Sequence, residues 1–108
     1  MLITKPLLLN GKVLQINVEA NRGSVRVAIA SAEPVETLNG TTLSMAPHLA
    51  ELHQLPGFSF DDCVPVRSNN IEYTVQFKNG KTLEELSGRK VRLLFEMNDA
   101  DLYGFRMQ

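Results

Sequence analysis

Apolar and polar residues alternate with a period of two in four separate stretches of the chain. In residues 13–19, Leu14, Ile16 and Val18 alternate with Gln15, Asn17 and Glu19; in 24–30, Val25, Val27 and Ile29 alternate with residues such as Arg26. In 71–78, Ile71, Tyr73, Val75 and Phe77 alternate with Glu72, Thr74, Gln76 and Lys78. In 91–97, Val91, Leu93, Phe95 and Met97 alternate with Arg92, Leu94 and Glu96. This period predicts strands with one face on a core and one in water. Leu102, Tyr103, Phe105 and Met107 resume an extended apolar pattern after the turn residues Asn98-Asp99-Ala100-Asp101. Residues 88–107 therefore read as two strands joined by a short acidic turn.

The punctuation between strands is turn chemistry. Asn10-Gly11 predicts a two-residue hairpin after a first strand over 2–9, which Pro6 confines to a sheet edge. Asn21-Arg22-Gly23 is the next turn, so the first 30 residues read as three consecutive antiparallel strands. Residues 31–57 break the pattern with Pro34, Asn39-Gly40, Pro47 and Pro56-Gly57. Inside this insertion, Leu49, Leu52 and Leu55 recur every third residue behind Ser44, predicting a short helix over 45–54. Residues 58–62 and 64–66 read as irregular or short strand, and Thr82 with Glu85 forms a capping-box pattern closed by Gly88. The expected fold is a single all-β domain over 1–108: an antiparallel β-sandwich, jelly-roll-like, of about seven strands with one short helix in an insertion. A small β-barrel is the alternative.

Composition narrows the functional classes. Eleven Lys and Arg against twelve Asp and Glu give a net charge of −1. With no basic excess to neutralise a phosphate backbone, nucleic acid is not an expected partner. No apolar run reaches the ~20 residues of a membrane span, and Leu7-Leu8-Leu9 is too short for a signal peptide. The expectation is a soluble chain. Its blunt ends, beginning and stopping almost inside strands, fit a module cut from a longer protein.

Few residues carry chemistry. His48 and His53 are five apart, which on a helix points them away from each other and prevents shared metal ligation. Cys63 is the single cysteine, with no activating base nearby in sequence, and a buried thiol is the default. Asn39-Gly40-Thr41 matches the glycosylation sequon, meaningful only in a secretory eukaryotic context. Asp61-Asp62 and Asp99-x-Asp101 offer oxygen ligands for a structural calcium if the two clusters meet in space; otherwise these carboxylates serve their turns. A self-contained glycosidase would need two carboxyls facing across a cleft, for which the chain offers little loop.

Several pieces, taken in order, resemble a family. They are Gly23-Ser24-Val25-Arg26-Val27, Pro56-Gly57-Phe58-Ser59 with Asp61-Asp62-Cys63, and Tyr73-Thr74-Val75-Gln76-Phe77. Leu86-Ser87-Gly88-Arg89-Lys90-Val91-Arg92-Leu93 and Asp99-Ala100-Asp101-Leu102-Tyr103-Gly104-Phe105 follow. The set is similar to the C-terminal β-sandwich accessory module of bacterial glycoside-hydrolase-like proteins, which resembles in role the sandwich behind the propeller of sucrose- and fructan-cleaving hydrolases. Phe77 stands where a Trp is expected, and the segment from Glu33 to Leu55 is longer than the expected hairpin. The resemblance implies a non-catalytic module docked on a catalytic domain of the same parent protein, with no catalytic residue in this stretch. The alternative is a carbohydrate-binding module, in which Tyr103 stacks on a sugar beside Asp101 and Arg106.

Overall fold

The computed structural model describes residues 2–32, 35–36, 42–43 and 54–108. Strands β1 (Leu2–Ile3), β2 (Leu7–Leu8), β3 (Leu14–Glu19), β4 (Ser24–Ser31), β5 (Val35–Glu36), β6 (Thr42–Leu43), β7 (Asn69–Thr74), β8 (Lys90–Asn98) and β9 (Asp101–Met107) form three antiparallel sheets. In the first, β8 lies between β4 on one side and β1 and β2 on the other. In the second, β3 lies between β7 and β9. β5 and β6 pair as a separate ribbon. The first two sheets stack into an all-β sandwich.

The alternation explains the stacking. Leu14, Ile16 and Val18 of β3, Val25, Val27 and Ile29 of β4, and Val91, Leu93 and Phe95 of β8 are at most 1% exposed and share one core. Each fully buried side chain of this size contributes about 1.5–3 kcal/mol. The sheet around β8 is covered on its other face as well. Ala28, Ala30 and Leu94 are buried there with Ile3 and Phe60, which accounts for an apolar Leu94 on a face expected to be wet.

Three turns behave differently from expectation. Asn10-Gly11 joins no hairpin, because β2 and β3 belong to different sheets. Gly11 instead turns a corner with φ +125°, and a Cβ there would stand 2.6 Å from the backbone of Gln108. Asn21-Arg22-Gly23 and Asp99-Ala100 are also corners between sheets, β3 to β4 and β8 to β9. Gly23 packs so closely on the second corner that a Cβ would meet the Asn98 carbonyl oxygen at 1.7 Å. The first 30 residues are therefore not three mutually paired strands.

Other corrections are local. The first strand is split around Pro6, and Thr4 bridges the gap: the Leu93 N–H donates to its Oγ1 at 2.9 Å, and Thr4 N–H donates to the Leu93 carbonyl at 3.0 Å. The strand expected over 71–78 runs Asn69–Thr74, followed by a single bridge from Phe77 to Cys63. Thr82 makes no side-chain cap on the 3₁₀ turn Leu83–Leu86. The reciprocal capping box forms at the 3₁₀ turn Phe60–Asp62, where Ser59 and Asp62 bond each other's side chains and amides. The helix expected over 45–54, with His48 and His53, falls on residues outside those described, except Gln54, which forms a β-bridge with Ala30. The Asn39 sequon also lies outside them.

Candidate functional site

The two sheets treat their outer faces differently. On the β8 sheet, Arg26 lies opposite Glu96 and donates to its Oε1 through Nε at 3.0 Å. Asp61 approaches the same guanidinium at 3.5 Å, and the Phe60 ring lies 5.8 Å from it. The Glu96 hydrogen bond holds the Arg26 pKa above its ordinary value. The capped turn Phe60–Asp62 thus lies over this face.

Among the described residues nothing covers the outer face of the β3 sheet, and both of its flanking strands bulge at the same level. Between Ile16 and Val18, β7 places Ile71 and Glu72 against the single residue Asn17. Between Asn17 and Val18, β9 inserts the unpaired Tyr103 beside Gly104, which faces Asn17. A bulge bends its strand and re-aims its side chains. Here it leaves Ile71 76% exposed and Tyr103 60% exposed. Gly104 contributes no side chain, and a Cβ built on it meets nothing within 4 Å. The result is a groove of about 270 Å³ lined by Asn17, Ile71, Glu72, Gly104, Phe105 and Arg106, among others. A polar line crosses it: Arg106 donates to Gln15 at 3.1 Å and to Glu72 at 3.0 Å, and Gln15 donates to Thr74 at 3.4 Å.

The expected ligand residues are placed by the β9 bulge. In a regular strand, Asp101 and Arg106 would point to opposite faces, being five apart. Across the bulge, Asp101 pairs with Glu19 and Arg106 with Gln15, so both lie on the outer face. They do not converge on one spot, since the strand rise separates them by roughly 16 Å. Arg106 lines the groove, whereas Asp101 lines a larger, polar hollow of about 600 Å³ with Glu19, Asn21, Arg22, Asn69, Asp99 and Ala100. Between them stands Tyr103, whose pKa is raised by the interaction of its hydroxyl with the Glu19 carboxylate. The larger hollow is floored by turn residues, while the smaller groove has the exposed apolar and aromatic surface.

Of the acids considered for calcium, Asp61 faces Arg26, and Asp62 caps Ser59, whose hydroxyl donates to it at 2.7 Å and lowers its pKa. Asp99 holds the corner with φ 46°, a conformation Asp tolerates. Among the described residues, no three His, Cys, Asp or Glu side chains gather as a metal site requires. Other carboxylates are paired too: Glu84 with Lys12, Glu85 with Lys81 and Glu72 with Arg106.

Cys63 is 1% exposed, and the Val27 N–H donates to its sulfur at 3.3 Å. Burial pushes its thiol pKa up, outweighing that bond and the positive field of Arg26. The folded state therefore holds the proton more tightly than the unfolded chain does. A neutral-pH thiol reagent is expected to label Cys63 only at the rate of global unfolding, and quickly in denaturant. Fast labelling of the native chain would contradict this burial.

Ile71 was expected on the buried face with Tyr73, and no signal in the sequence marks the bulge that exposes it. Gly104 carried the available signal, as a glycine inside an otherwise regular strand. Among the described residues, no helix is long and apolar enough to cross a membrane. Comparison of the chain with protein-family models, curated proteins and solved structures finds no match.

Proposed function

We propose that this chain is a non-catalytic accessory β-sandwich module that acts through the open face of its β3 sheet, and that its host is a glycoside-hydrolase-like protein. The observation that carries the reading is the asymmetry of the two faces. The β8 sheet is covered around Arg26 and Glu96 by the capped turn and its ion pairs and exposes Leu2 and Leu8 on its short strands β1 and β2, whereas the β3 sheet exposes Ile71, Tyr103 and the Gly104 groove at its centre. An exposed apolar surface with a polar rim is typical of a protein contact site. The carboxylates paired with cations or capping a turn are already engaged in the fold. The host class rests on the sequence resemblance alone.

A second reading has its own observation. Tyr103 stands exposed beside Gly104, with Arg106, Gln15 and Glu72 next to the groove, a combination suited to stacking and hydrogen-bonding a sugar ring.

One variant tests both. Gly104→Val puts a side chain into the groove with its Cβ in open space and replaces glycine with a strong strand former, so the fold is expected to gain up to about 1 kcal/mol. Amide spectra of the chain and variant are recorded with a glycoside-hydrolase catalytic domain supplied in trans, and with fructans, sucrose and plant-wall oligosaccharides. The proposal expects perturbation at 15–17, 71–72 and 103–106 by the catalytic domain alone, lost in the variant. Perturbation of the same amides by a sugar would establish the second reading. Hydrolysis of any of these sugars by the chain itself would overturn both.

A further inference from the structure

We infer that two copies of this chain join through the free edge of β9 about a twofold axis, forming one continuous six-stranded sheet, and that the β9 bulge sets the register. β9 is an edge strand, with no strand on its outer side among the described residues. Val13 and Gln108 exchange both backbone hydrogen bonds, so alternate positions of β3 from Val13 onward bond to β9. Their partners are Gln108, Arg106, Gly104 and, past the bulge, Asp101. The backbone groups of Met107, Phe105 and Leu102 are therefore turned to the open edge.

An antiparallel twofold can join these groups. When Phe105 faces Leu102 of a second copy, and Leu102 faces its Phe105, outward-turned backbone meets outward-turned backbone at both places. The same register sets Tyr103 opposite Gly104 and Asp101 opposite Arg106. Each match is chemically favourable: an aromatic ring shields a strand glycine, apolar faces apolar, and acid faces base. The twofold repeats every contact. An unbulged strand could not use this register, because residues whose numbers differ by an odd value would then lie on opposite faces. The extra residue corrects the parity. It places Asp101, Gly104 and Arg106 on the outer face and Leu102 and Phe105 on the inner one, in line with their β3 partners.

Burial supports the same pairing. Phe105 packs on Phe95 at 5.6 Å between ring centroids yet remains 39% exposed at the sandwich edge. A second copy would cover that exposed side and extend the core across the axis. Arg106 is held towards Glu72 in the single chain, but this is an exposed pair of little net worth, and a guanidinium has donors enough for a second carboxylate. The inference rests on the strand edge and its register and not on the proposed accessory role, although Tyr103, Gly104 and Arg106 also belong to the face that role uses.

A charge exchange tests it by sedimentation equilibrium at low salt. The wild-type chain is expected to dimerise. Asp101→Lys sets base against base twice, and Arg106→Glu sets acid against acid twice, so each variant alone is expected to be monomeric. Mixed in equal amounts, the two restore both oppositely charged contacts, and the heterodimer should return. Circular dichroism melting of each variant separates lost association from lost fold. A monomeric wild type at high concentration, or folded variants that dimerise as well alone as mixed, would overturn the inference.

Discussion

Phe95→Ala is expected to cost about 4 kcal/mol, the middle of the range for deleting a buried phenylalanine. Phe95 is fully buried at the centre of β8, which among the described residues is the only strand of its sheet with neighbours on both sides. Its ring fills the space between the sheets and touches Phe105, so the cavity left behind has few ways to collapse. A domain of this size has about 5–15 kcal/mol in total. The variant should therefore melt some 20 °C below the parent, following the usual scaling of midpoint with stability. Phe105→Ala, at a ring already 39% exposed, should lose much less. Chemical denaturation of the two variants side by side measures the difference. Equal losses would mean that the core is not centred on β8.

Gly23→Ala is the second large effect, and its cause is contact rather than conformation. Gly23 does not need a left-handed backbone, but a Cβ would enter the Asn98 carbonyl oxygen at 1.7 Å and stand 2.8 Å from the Asp99 carbonyl oxygen. Neither obstacle is the movable tip of a side chain. One corner must shift against the other, and each is tied to strands of both sheets. Forcing atoms into packed structure costs about 1–3 kcal/mol or more, and the upper end is expected here. Gly104→Ala is the control, because the same methyl group meets open space there. Urea titration should find the first variant strongly weakened and the second unchanged or improved. A mild Gly23→Ala would mean that the two corners can separate freely.

The contrast between these glycines also shows what the sequence could convey. Alternation in 13–19, 24–30 and 91–97 identified three strands and their buried faces, because burial of one face leaves a direct trace in residue type. Turn residues identified where the chain changes direction. They did not tell whether it returns to the strand it left or crosses to the opposite sheet. Asn10-Gly11 suits a hairpin and equally suits a corner that needs φ +125° beside the Gln108 backbone. The β7 bulge was invisible as well. Ile71 carried the correct parity for the core until β7 gained a residue opposite Asn17. Asp101, Tyr103 and Arg106 were singled out as neighbours on one strand. Their arrangement on a shared outer face depends on the bulge at Tyr103, for which the strand glycine Gly104 is the single residue signal. The capping box illustrates a different ambiguity: Thr82-x-x-Glu85 and Ser59-x-x-Asp62 both fit the spacing, and tertiary placement alone selected the second.

The pairing of early with late strands has a consequence for how the molecule is made. Leu2 is matched with Phe95, Ser24 with Asn98, and Leu14 with Met107. Among the described residues, none of β1 to β4 pairs with another of these four. While the first half of the polypeptide leaves the ribosome, strands β1 to β4 have no native partner strand among the described residues, and the two sheets cannot close before residues 90–107 have emerged. Closing such long loops is entropically costly and slow. During synthesis the strands around Ile16 and Val27 are therefore open edges in search of a partner. The strand order thus keeps the early apolar strands exposed until the last third of the chain has been made.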